Sequence, residues 1–190
     1  MVAFTSPDRK SQRLIDLKFV QSESEVRDRF RQTIITEQEL FRIRRVTGID
    51  DDALIRRLHD AGFRAETVNA IALFPVAMAA WASGSVTERE RRNARQAALA
   101  LNLSAHAGAV ELFHQWLCQK PAAVLWDLWR DYSVACAAVK SETTFRSHGM
   151  AVYQLALLVA EASGGFLGMG GVCTAEQQVL DRIRETYALE

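Results

Sequence analysis

The sequence predicts an all-α protein, a helical bundle of about eight to ten helices around a pseudo-symmetric, duplicated core. Three observations carry this. Strand signals are nearly absent, with no sustained period-2 alternation and no N-G or D-G hairpin pair. Helix starts and stops recur instead about every 12 to 20 residues. One helix-turn-helix pattern also occurs twice, as VAMAAWASGSVTERE at residues 76–90 and LALLVAEASGGFLGMGGVCTAE at 155–176. Each copy is an apolar run, then A-x-A-S-G, then V-x-x-x-E opening another helix, so each apolar run needs the other for burial.

Taken in order, the elements follow from local chemistry. The opening MVAFTSPDRKSQRL has no apolar h-region and reads as a frayed polar leader, not a signal peptide. Ser22 stands three residues before Glu25, a capping-box spacing, and places Val26, Phe30, Thr33 and Ile34 on one helical face. Thr36 and Glu39 repeat that spacing for a second helix through Leu40, Phe41 and Ile43 to Gly48. Asp50, Asp51 and Asp52 suit the positive end of a third, which carries Leu54, Ile55 and Leu58 and stops at Gly62. Val68 to Trp81 is apolar on nearly every side and reads as a central helix split or kinked by Pro75.

Thr87 and Glu90 form the next capping box, ahead of Ala94, Ala97, Ala98 and Leu101. Ser104 caps a helix with Val110, Phe113, Trp116 and Leu117 inward. Pro121 suits the first turn of another, whose buried side takes Leu125, Trp126, Leu128, Trp129, Tyr132, Val134 and Val139. Ser141 caps a long helix with Tyr153, Leu155, Leu157, Leu158 and Val159, in which Gly149 is a weak point or a close-packing site. A last helix carries Val179, Leu180, Ile183 and Tyr187. The expected organisation is an N-terminal helical extension, 1–64, packed on a duplicated helical domain, 65–190.

Composition narrows the function classes. The formal net charge is zero, and the two parts carry about +2 and −2, which is not the footprint of a nucleic-acid binder. Nineteen of 23 basic residues are Arg, beside abundant Ala, as in a GC-rich bacterial genome. Cys118, Cys136 and Cys173 are odd in number and widely spaced, so they build no disulfide framework and suit a reducing cytoplasm. The longest apolar run, Ala70 to Ala82, is too short to be a transmembrane segment.

The paired units are similar to the signatures of the tellurite-resistance TerB-like family, all-α proteins whose repeats read A-x-A-D-G followed by V/I-S-x-x-E. The resemblance covers roughly residues 65–190. It implies a duplicated helical core and a divalent cation held by the acidic repeat positions. Here Ser83 and Ser163 stand where the family has Asp, and only Glu90 and Glu176 match its acidic positions. Hard cations want several oxygen ligands including carboxylates, so the substitution weakens that implication. Glu90 and Glu176 each lie three residues after Thr87 or Cys173, where the side chain can instead reach back to the cap amide.

Other motifs carry less. Glu111 and His114 make one E-x-x-H where a di-iron bundle needs two, and His114 with Cys118 supplies two zinc ligands where three or four are needed. His59, His106 and His148 adjoin no nucleophile pattern, and G-x-S-x-G, H-E-x-x-H, G-K-[ST] and C-x-x-C are all missing. The loop Gly164 to Gly171 has no strand before it and no Lys after it, so Phe166, Leu167 and Met169 fit core packing or a docking loop better than a phosphate cradle. These readings favour a non-enzymatic cytoplasmic protein serving stress response or protein interaction, with a protein partner or self-association and no cofactor. The alternatives are a divalent-cation binder using Ser83, Glu90, Ser163 and Glu176, and a small-molecule binder with a pocket between the central helices.

Overall fold

The computed structural model describes residues 9–100, 107–162 and 172–189, and among these it is helical with no strand. Its elements are α1 (Arg9–Thr47), α2 (Asp52–Asp60), a 3-10 turn (Val68–Leu73), α3 (Phe74–Ala80), α4 (Glu88–Ala100), α5 (Ala107–Cys118), α6 (Leu125–Val139), α7 (Glu142–Ala162) and α8 (Thr174–Tyr187). The chain divides into two compact units between Glu39 and Leu40.

The first unit is the longer part of α1. The expected starts at Ser22 and Thr36 are not used, because the helix runs through both. Residues 9–47 contain neither Gly nor Pro, and propagation through a weak cap signal costs less than a second nucleation. Thr33 turns its hydroxyl back onto the Arg29 carbonyl at 3.0 Å, a bond that suits a helix interior.

The second unit, Leu40–Glu190, holds the core. Leu40 and Ile43 are buried there with Ile49, Leu54, Ile55, Leu58 and Phe63. Asp51 caps α2 by accepting the Leu54 N–H at 3.0 Å. The helix ends in a Schellman motif: Phe63 N–H bonds the Leu58 carbonyl at 3.0 Å and Gly62 N–H the His59 carbonyl at 2.9 Å. Gly62 sits at φ +92°, where a side chain would be strained. The central apolar run splits as expected, with Pro75 in the first turn of α3, where its missing donor is harmless.

Helix α3 lies on α7, α4 follows α3 and packs on α7, and α8 follows α7 and packs on α3. Small residues allow these approaches: Ala77 and Ala80 on α3, Ala94 and Ala98 on α4, and Gly149, Ala156 and Ala160 on α7 are all buried. An unbroken series of edge-to-face rings runs Phe63, Trp116, Phe74, Trp126, Trp129, Tyr187, with centroids 5.0 to 6.1 Å apart. Such pairs add roughly 0.5–1.5 kcal/mol each beyond area burial. They tie α5, α6 and α8 to the central helix.

Three expectations need correction. Pro121 lies in the connection before α6, which begins at Leu125, and there it is buried. Val134 and Val139 face solvent at 61% and 47% exposure, and Leu158 on α7 does so at 56%. An apolar residue in a helix of wide apolar face cannot be assigned inward by spacing alone. The cap expected at Ser104 lies outside the described residues.

Candidate functional site

At the first repeated unit, Ser83 is exposed, and its hydroxyl donates to the Ser85 carbonyl at 3.1 Å. Gly84 beside it has φ +98°, the left-handed turn that lets the chain leave α3. Glu90 is 1% exposed, and its carboxylate accepts the Thr87 N–H at 2.5 Å while the Thr87 hydroxyl accepts the Glu90 N–H at 3.3 Å. These two reciprocal bonds satisfy donors that every helix start leaves open.

The second sequence copy repeats this arrangement, with Cys173 in the place of Thr87. Glu176 is also 1% exposed and accepts the Cys173 N–H at 2.7 Å. Ser163, Phe166, Leu167 and Met169 lie outside the described residues. The structure therefore places Glu90 and Glu176 each in its own helix cap, and Ser83 in a turn hydrogen bond at the surface.

Other groups named from sequence remain scattered. Glu111 and Cys118 are exposed and His114 is half-buried on α5. Among the described residues no three His, Cys, Asp or Glu side chains group as metal ligands. No helix there is long and apolar enough to cross a membrane.

Surface clefts lie among the described residues, and three of them bear on the site. One of about 340 Å³ is lined by Arg42, Arg45, Val46, Ala65 and Glu66. Arg42 pairs with Glu66 across it, and the Glu66 carboxyl is held below its usual range by its own backbone N–H and by that guanidinium. A second, about 750 Å³ and open, borders Glu142, Arg146, Met150 and Leu189. The third, about 310 Å³, lies between α6 and α8, where the Arg182 guanidinium stacks 4.8 Å above Trp126 and Arg130 pairs with Asp127 at 3.1 Å. None of these three is lined by α3, so none is the pocket expected between the central helices.

Below the third cleft is a buried polar group of a different kind. The Ser133 hydroxyl donates to the Tyr187 hydroxyl at 3.4 Å, and burial pushes the Tyr187 phenol up to about 12. Burial likewise raises Tyr132 and Cys136 and lowers His148. These groups are held neutral, an arrangement that stabilises packing and supplies no nucleophile near neutral pH.

One face set by the sequence spacing lies open in the structure. Phe19, Val26, Phe30 and Ile34 on α1 are 66%, 54%, 70% and 53% exposed, where the periodicity alone reads as a core-facing stripe. The only signal for this was negative: no Ala or Gly on that face invites close helix packing. Comparison with known protein families, curated proteins and solved structures finds no match to the chain.

Proposed function

We propose that this chain is a non-enzymatic, cytoplasmic protein-interaction module of TerB-like architecture, serving in a stress response. The observation that carries the interaction reading is the apolar stripe Phe19, Val26, Phe30 and Ile34, exposed along α1. A single protein rarely leaves so many large apolar side chains in one line unless something covers them. The TerB-like part is supported by the packing of α3 with α7 and by the paired glutamate caps at Glu90 and Glu176. The non-enzymatic part is supported by the capping role of both glutamates and by the dispersal of His and Cys side chains among the described residues.

The test is site-specific photocrosslinking in the cell with a benzophenone amino acid at Phe30, and at exposed Gln96 on α4 as a control. The expected result is an ultraviolet-dependent adduct heavier than the chain at Phe30 and none at Gln96. Absence of any adduct at Phe30 would sink the reading.

A further inference from the structure

The occupant of the α1 stripe can be argued from α1 itself, and this inference rests on the interaction reading above. Phe19, Val26, Phe30 and Ile34 are spaced by seven, four and four residues, which puts them within an arc of about 80° at 3.6 residues per turn, while the likewise exposed Leu14, Leu17, Val20 and Ile35 lie outside that arc. An arc of that width matches a seam between two helices. The helix also needs support. Thr33, Ile34, Ile35 and Thr36 are four consecutive β-branched residues, poor helix formers, and a lone helix of this composition is marginal in water.

We propose that the stripe is covered by the same stripe of a second copy, in an antiparallel helix pair centred near Val26. Charge placement selects this partner and this direction. Glu23 lies on the stripe on the N-terminal side of Val26, and Arg27 and Arg29 border it on the C-terminal side. A two-fold axis at Val26 brings Glu23 to Arg29 of the second copy, and does so twice. Phe30 then fits between Phe19 and Val26 of the second copy. A parallel pair would set Glu23 on Glu23 and Arg29 on Arg29 instead. Four such side chains on each helix, with the stems of the flanking Arg and Glu, remove roughly 1,200 Å² from water, the lower end of what specific interfaces bury.

The experiment is sedimentation of the full chain at micromolar concentrations, with helicity and melting recorded alongside. The expected mass is about twice 21.3 kDa. Phe30→Glu is expected to weaken the dimer about tenfold or more while the second unit keeps its melting transition. Glu23→Arg and Arg29→Glu should each weaken it, and the double exchange should restore it. A monomeric wild type, a Phe30→Glu variant that dimerises as tightly as wild type, or an exchange that fails to restore pairing overturns the second-copy proposal. A monomer that still crosslinks at Phe30 to a different protein overturns only the second copy. A monomer with no adduct removes the interaction reading as well.

Discussion

The ring of Tyr187 on α8 lies directly on the Cα of Gly149 on α7. A Cβ at Gly149 would stand 2.3 Å from Tyr187 Cγ and 2.5 Å from its Cβ, far inside any real contact. The glycine is therefore the space in which the last helix docks. In an exposed helix interior Gly→Ala gains about 1 kcal/mol. At position 149 the overlap is with the base of a buried ring that cannot swing aside, and overpacking of this kind costs roughly 1–3 kcal/mol or more. Gly149→Ala is expected to destabilise by about 2 kcal/mol net in urea unfolding. In Tyr187→Ala, which loses the ring but keeps the Cβ 2.5 Å away, the same change should cost less than in the wild type, a coupling that a double-mutant cycle reads directly.

The Tyr187 phenol also sets an alkaline limit. Its folded value, about 12, is above the unfolded 10, so the unfolded chain deprotonates first as pH rises. The stabilisation is whole below pH 10 and is lost between pH 10 and 12. Two pH units correspond to about 2.7 kcal/mol as an upper bound. Tyr132, also raised by burial, adds to the same loss. Tyr187→Phe keeps the ring on Gly149 and should flatten, without abolishing, the fall in melting temperature above pH 10.

His148 acts at the other end. Burial lowers its folded value below 6.5, so the unfolded chain takes up the proton first as pH falls. Stability is full above pH 6.5 and declines from there down to the depressed folded value. His148→Gln is expected to lessen the decline in melting temperature between pH 7 and pH 5; an unchanged slope would show that another group carries it.

The twin glutamates should respond alike to mutation. Glu90→Ala and Glu176→Ala each remove an acceptor from a helix start and leave a small buried gap, for an expected loss of about 1–2 kcal/mol. Glu→Gln keeps an acceptor and should cost less than half of that. Thermal melts of the four variants check this.

The same geometry predicts indifference to divalent metals. A site filled to a hundred times its dissociation constant would add about 2.7 kcal/mol of stability. Because the Glu90 and Glu176 carboxylates are engaged in separate caps, millimolar calcium, magnesium or zinc is expected to leave the melting temperature unmoved. A clear rise that disappears in Glu90→Gln with Glu176→Gln would revive the cation reading.

By itself the sequence determined the all-α class, the split of the central run at Pro75, the helix start at the Asp50, Asp51 and Asp52 cluster, the caps at Thr87, Ser141 and Cys173, and the stop at Gly62. These depend on a few neighbouring residues, whose hydrogen bonds close within one or two turns, so local spacing is enough. Tertiary structure decided the rest. Ser22 and Thr36 carry cap spacings that a continuous helix overrides, and Val134 sits outward on a helix whose inward side looked equally apolar. Gly149 could be read from sequence as weak point or close contact, and only the arrival of Tyr187 from 38 positions away makes it the latter. The α1 stripe has the period of a buried face, yet period says only that one side is apolar. What lies against that side depends on a third dimension that spacing does not contain.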